Sequence, residues 1–265
     1  MRRRIAAIPG RFTRMAYGVY AWTALIGCGL PTLLVLLATP SRRGRRRVAS
    51  WGARVFFSVI GSPVRIAGTE LLPATPSVVV ANHASYLDGI ILTAALPPRF
   101  TFLIKHEMAS FPFAGILLRR LGSEFVDRDN SSQRHRVARR LLKAAARGDS
   151  LAFFPEGTFD ATPGLRPFLA GAFGAAWRAR LPLVPIVISG SRAKLPAESW
   201  LCSPGPLSIR ICRPIDPGAH AAAPELLEAA RRAMLEWLNE PDLARARDGH
   251  RGERLAEASL QGGGG

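Results

Sequence analysis

The chain has 265 residues, of which 48% are apolar, an ample share for a packed core, and one catalytic domain with an N-terminal appendage is the expected organisation. A formal charge of +17, with Arg far outnumbering Lys, attracts phosphate-rich partners, and composition alone does not choose between nucleic acid and anionic lipid. Cys28, Cys202 and Cys212 are too few for a disulfide framework, and without CxxC spacing or clustered His they exclude a zinc site, so they read as small apolar fillers.

In chain order, the first feature is the uncharged run Tyr17 to Ala38, which is long enough to cross a hydrocarbon core as a helix. No ordinary mature sequence follows a small-residue cleavage site, which argues against a signal peptide. Arg residues stand on both flanks, at 2, 3, 4, 11 and 14 and again at 42, 43 and 45 to 47, so the positive-inside rule gives no orientation. Pro31 lies within the run and a second apolar stretch covers Val48 to Ile60. Two readings stay open: a single crossing, or a kinked hairpin lying in one leaflet. Residues 1–60 are therefore expected to be a helical membrane-anchoring segment, residues 61–240 the catalytic domain, and residues 241–265 a Gly-rich tail without periodicity, expected to be disordered.

After Gly61, short β-like runs alternate with helical stretches, the pattern of an α/β domain with a mostly parallel sheet. Strands are expected at Val64 to Ala67, Ser77 to Ala81, Thr101 to Ile104, Ser123 to Val126, Ser150 to Phe154, Leu183 to Ser189 and Leu207 to Cys212. Helices are expected at Tyr86 to Leu96, Phe111 to Leu121, Ser131 to Ala146, Phe168 to Arg180 and Pro224 to Asn239. The basic stretch from Gln133 to Arg147 reads as a solvated helix face, with membrane-surface contact as its main alternative.

Three blocks carry chemistry. The apolar run Val78 to Ala81 ends in Asn82 and His83, and Asp88 follows five positions later, placing an imidazole and a carboxylate at a strand-to-helix junction. Ligands dock at strand C-terminal ends of open α/β sheets, and a His with an unperturbed pKa near 6.5 suits removal of an alcohol proton at neutral pH. Asp88 can hold its tautomer. A second strand runs through Leu151 into the turn Pro155, Glu156, Gly157, Thr158. Between the two, Phe125-Val-Asp-Arg128 ends another strand with charge, and Arg128 offers a donor fork for phosphate.

NHASYLD at 82–88, FVDR at 125–128, FPEGT at 154–158 and Val184-Pro-Ile186 together resemble the motifs of the glycerolipid (1-acyl-sn-glycerol-3-phosphate) acyltransferase family, over roughly residues 61–215. The resemblance implies the family's fold, a mixed and mostly parallel sheet flanked by helices. It implies His83 as general base, Asp88 as its orienting partner, and Arg128, Glu156, Gly157 and Thr158 at the acceptor. Many relatives carry Lys after the Phe that follows the third motif, where this chain has Leu169 after Phe168, so Arg166 becomes the candidate for a secondary phosphate contact.

The implied reaction moves a fatty acyl chain from acyl-CoA or acyl carrier protein to the hydroxyl of a lysophospholipid, foremost 1-acylglycerol-3-phosphate, with an amino-acid-containing lysolipid as the alternative acceptor. Neither a cofactor nor a metal is expected. The expected partners are the acyl carrier, the lysolipid and an anionic membrane rather than nucleic acid, with the active site on the cytoplasmic face of the cell membrane. A serine hydrolase is disfavoured because Ser85 lacks a G-x-S-x-G elbow, and a non-enzymatic basic surface protein leaves the spaced motifs unexplained.

Overall fold

A computed structural model describes residues 10–110, 112–126, 139, 143–144 and 146–244. The first element, α1 (Arg11–Ala38), runs through Pro31 as one helix, and Pro40 separates it from α2 (Arg42–Val59), which Ser41 caps by accepting from the Gly44 amide at 3.1 Å. Arg45 closes the hairpin by donating to the carbonyls of Thr39 (2.7 Å) and Pro40 (3.1 Å). The two helices touch at Gly52, where a Cβ would lie 2.3 Å from the Thr32 hydroxyl, so only glycine permits this approach. On the outer side, Cys28, Pro31, Val35, Trp51 and Val55 line a largely apolar groove of about 570 Å³.

The domain is a 7-stranded sheet ordered β1-β7-β6-β2-β5-β3-β4. Its strands are β1 (Val64–Ala67), β2 (Val78–Ala81), β3 (Phe100–Lys105), β4 (Glu124–Val126), β5 (Ser150–Phe153), β6 (Leu183–Ser189) and β7 (Leu207–Ile211). Every neighbouring pair is parallel except β6 with β7. Among the described residues the domain's named helices are α3 (Asp88–Ala95), α4 (Pro112–Arg120), α5 (Gly171–Ala179), the single turn α6 (Ser191–Lys194) and α7 (Ala223–Leu235). This is the mixed, mostly parallel architecture expected from the alternating pattern, with strand ends within a residue of their expected positions.

Central β2 shows why the run VVVA carries no polar alternation. Val79 and Ala81 join a core with Phe56, Phe57, Ile91 and Leu92, while Val78 and Val80 join one with Phe173 and Leu226 on the opposite face. A parallel strand covered on both faces reads as a continuous apolar run. Expected helix starts shift inward for local reasons. The Ser85-Tyr-Leu segment is a turn before α3, and Leu169 is drawn out of α5 by the hydrogen bond its N–H donates to the Pro155 carbonyl at 2.8 Å. The expected helix at Ser131 to Ala146 falls largely outside the described residues, as does the tail beyond residue 244.

The boundary at residue 60 coincides with the end of α2, but packing joins that helix to the domain. Phe57 is fully buried against α3 and the sheet, and the buried Arg46 guanidinium donates to the Leu121 carbonyl (3.0 Å) and Thr101 hydroxyl (2.6 Å) and pairs with Asp149 at 3.2 Å. Both ends of α1 also rest on the domain. Near its start, Tyr17 donates to the Ile60 carbonyl and accepts from Lys194, whose buried ammonium also meets the Ser62 hydroxyl at 2.6 Å. Near its end, Leu36 is buried with Ala49 and Leu121. Phe57→Ala should therefore lower domain stability by about 3 to 5 kcal/mol, the usual cost of emptying an aromatic core site. Thermal unfolding in detergent checks this; an unchanged midpoint would mean that α2 is a detachable appendage.

Candidate active site

His83 stands just past the end of β2, and Asp88 opens α3. The Asp88 carboxylate is fully buried, and its Oδ2 accepts from the Ala84 amide (2.7 Å), the Ser85 amide (2.8 Å) and faces His83 Nδ1 at 3.0 Å. Its charge sits at the positive end of α3, where the helix dipole favours an anion. The His-x4-Asp spacing is thus the span of one turn folded around one oxygen. His83 Nδ1 holds the proton in this arrangement, because a carboxylate oxygen can only accept, and Nε2 has no hydrogen-bond partner among the described residues.

Rings fix the imidazole plane. Phe154 stacks on it with centroids 4.2 Å apart, and Phe159 lies across it at 4.4 Å. Asn82 ties the strand end to β6, donating to the Ile188 carbonyl (3.0 Å) and accepting from the Ile188 amide (2.7 Å). Ser85 is fully buried, and its hydroxyl donates to the Leu195 carbonyl at 2.8 Å, so it serves the turn and is not placed as a nucleophile.

Because β2 and β5 are parallel neighbours in register, with Val80 opposite Phe153, the turn after β5 lands beside His83. It is a β-turn in which Gly157 donates to the Phe154 carbonyl at 3.1 Å, with Pro155 at its second position and Gly157 at φ 78°. The turn aims Glu156 inward. Its Oε1 accepts from the His83 amide (2.6 Å) and its Oε2 from the Arg166 amide (2.8 Å), and only 6% of the residue is exposed. Burial pushes this carboxyl up to about 7, against the opposing pull of those two amides.

The other expected residues divide. Thr158 is exposed beside the turn. Arg166 joins the site through its backbone, while its guanidinium pairs with Asp160. Arg128 lies outside the described residues. Sequence reasoning missed Phe154 and Phe159 as walls of the imidazole, Asn82 as a strand tie, and Arg231. That buried guanidinium donates to the carbonyls of Leu165 and Arg166, both at 2.7 Å, and pairs with Asp242. The sequence signal for the phenylalanines is position alone: Phe154 opens the FPEGT block and Phe159 follows it.

Residues 63–189 match the family model described as Acyltransferase. The chain is 29% identical over 244 residues to the 1-acyl-sn-glycerol-3-phosphate acyltransferase of Saccharomyces cerevisiae, covering 88% of this chain and 80% of that one. It is 34% identical over 152 residues to the lyso-ornithine lipid O-acyltransferase of Pseudomonas aeruginosa, covering 57% of each. The crystal structure of the 1-acyl-sn-glycerophosphate acyltransferase PlsC from Thermotoga maritima superposes with a TM-score of 0.69 at 22% identity, over 84% of this chain and 92% of that one, which shows a shared fold.

Glu156 makes a stability signature with a definite sign. A carboxyl raised from 4.5 to about 7 on folding binds its proton more tightly in the native state, so its contribution to stability declines as pH rises through that window and is flat outside it. Glu156→Gln removes this decline. The wild-type melting midpoint should therefore lose ground to the variant's between about pH 4.5 and 7, and a difference that stays constant across that window would contradict the burial argument.

Proposed function

We propose, on the match of residues 63–189 to the acyltransferase model, that this chain is an acyltransferase which moves a fatty acyl chain from acyl-CoA or acyl carrier protein to the free hydroxyl of a lysophospholipid. The acceptor we propose first is 1-acylglycerol-3-phosphate, giving phosphatidic acid, in keeping with the substrate named for the yeast relative. The observation that carries the reading is the His83 Nδ1 to Asp88 Oδ2 contact at 3.0 Å, which leaves Nε2 as the nitrogen able to take a proton.

In the proposed reaction, Nε2 removes the acceptor hydroxyl proton as that oxygen adds to the thioester carbonyl, and backbone amides carry the developing oxyanion charge. The C–S bond then breaks and the imidazolium returns its proton to the departing sulfur. A thiol with pKa near 8.5 is a good leaving group, so no acyl-enzyme is needed. Buried, bonded Ser85 supports this direct route. Asp88 orients the base. Glu156 we assign a positioning role, since both its oxygens are held by backbone amides, and Gly157 lets its turn form. Thr158 and Arg128 remain the proposed acceptor contacts, with Arg166 as a secondary phosphate contact that would have to exchange its Asp160 partner.

We also propose that α1 lies along one leaflet. Tyr17 and Leu36 rest on the domain at opposite ends of the helix, so a perpendicular crossing would drag the domain into the hydrocarbon. Its outward residues Val19, Ile26, Leu30 and Leu34 are exposed and apolar, suited to acyl chains. The proposed site is the cytoplasmic face of the cell membrane, where both acyl carriers are found.

The Pseudomonas aeruginosa relative supports a second acceptor, a lyso-ornithine lipid. One experiment separates them: detergent-solubilised protein given labelled acyl-CoA or acyl carrier protein with a panel of lysolipids, beside His83→Ala. The variant should lose about two to four orders of magnitude in kcat, the usual worth of a general base. Absence of His83-dependent product with every donor and acceptor would refute the proposal. In the same assay, Arg128→Ala should raise the KM of a phosphate-bearing acceptor with kcat little changed, and unaltered acceptor kinetics would remove Arg128 from the site.

A further inference from the structure

Beyond α1, the domain carries an exposed aromatic surface that the acyl-transfer chemistry does not use. Trp200 is 71% exposed, Tyr86 56% and Leu201 39%. Their rings are ordered against one another: Tyr86 and Trp200 stack with centroids 6.0 Å apart and planes within 10°, and Trp200 lies 6.4 Å from Trp22 of α1. Large aromatics held outward in water are the surface features that call for a partner.

The loop that presents Trp200 is pinned rather than free to fold over it. Its Trp200 carbonyl accepts from the Trp22 indole at 2.6 Å, and its Ser203 carbonyl accepts from the buried Lys194 ammonium at 3.1 Å. Leu201 packs on Gly18 of α1 so closely that a Cβ there would lie 2.8 Å from the leucine side chain. The backbone is thus fastened to α1 at the turns that carry Gly18 and Trp22, while Trp200 itself stays exposed.

Those turns lie just past Arg11 and Arg14, where α1 changes from charged to apolar. Trp and Tyr are enriched at the membrane–water interface because an apolar ring with a polar edge suits the headgroup level, the depth at which a helix lying in one leaflet sits. Tyr86 also continues inward, meeting Phe159 edge-on at 4.8 Å, and Phe159 in turn meets His83 at 4.4 Å. The aromatic surface therefore runs without a break from α1 to the imidazole.

We propose that Trp200, Leu201 and Tyr86 form a second membrane-docking surface, continuous with α1, that rests in the interfacial zone of a phospholipid bilayer and brings the lipid surface to the mouth of the His83 site. This rests on the reading that α1 lies in one leaflet. Its consequence is that a lysolipid hydroxyl at glycerol depth reaches His83 by sliding along rings, without its acyl chain crossing water.

Tryptophan quenching in the full chain tests the location directly. The protein is reconstituted in vesicles of phosphatidylcholine and phosphatidylglycerol, with the phosphatidylcholine either plain or brominated on its acyl chains near the carbonyls. Subtracting the emission of Trp200→Phe isolates Trp200, and Trp22→Phe isolates Trp22 as the reporter on α1. The Trp200 contribution should lose about half or more of its intensity to brominated lipid and little to aqueous iodide, as expected of an indole at the headgroup level. Trp22 quenched by bromine with Trp200 quenched by iodide would overturn this surface while leaving α1 in the leaflet. Trp200 shielded from both quenchers would overturn it in favour of a protein partner such as a second copy of the chain. Trp22 insensitive to bromine would overturn the leaflet reading and this inference with it. None of these outcomes depends on turnover, so the acyl-transfer proposal stands or falls separately.

Discussion

One buried oxygen organises this site. Asp88 Oδ2 collects the amides of Ala84 and Ser85 and the imidazole of His83 within 3.0 Å, at full burial. An uncompensated carboxylate in such surroundings would be prohibitively costly, so the turn must wrap around it, and the wrapped turn leaves the imidazole only one seat. Glu156 repeats the device from the neighbouring strand, spending both oxygens on backbone amides at 2.6 and 2.8 Å. Two carboxylates therefore act as internal staples for chain segments that carry no regular hydrogen-bond ladder of their own.

The staples are held from far away in sequence. Arg231 on α7 grips the carbonyls of Leu165 and Arg166, the Arg166 amide holds Glu156, and Glu156 holds the His83 amide. Arg192 adds a second strut, donating to the Asp160 carbonyl at 2.9 Å while paired with Glu240 at 3.0 Å. The arrangement is a shell of oriented donors behind an imidazole walled by Phe154 and Phe159. Preorganisation of this kind is what lets the imidazole act without reorganising its surroundings during the reaction.

Much of this was legible in the sequence, for identifiable reasons. The strands announced themselves because both faces of the sheet are covered, which makes runs such as Val78 to Ala81 continuously apolar. His83 and Asp88 were legible because their spacing sits at a strand end within a set of ordered blocks. The inward aim of Glu156 was not, because a Pro-Glu-Gly turn reads as exposed until parallel pairing of β2 with β5 puts a backbone amide in front of it. The burial of Arg46 and Phe57 was equally hidden: α2 joins a cationic start to an apolar remainder as a membrane-anchoring helix would, and only its seat on α3 shows that it belongs to the core. The surface at Trp200 and Tyr86 depends on residues more than a hundred positions apart and has no local pattern.

The account stands on Asp88 as the group that sets the tautomer of His83, and the kinetics of Asp88→Asn test it most directly. An asparagine oxygen in the place of Oδ2 can still accept the Ala84 and Ser85 amides, so the turn can persist, but it carries no negative charge to hold the Nδ1 proton and stabilise the imidazolium as Nε2 takes a second one. The account predicts a folded variant whose kcat falls by about three to four orders of magnitude with acceptor KM little changed. A folded Asp88→Asn enzyme with kcat within about tenfold of wild type would contradict it.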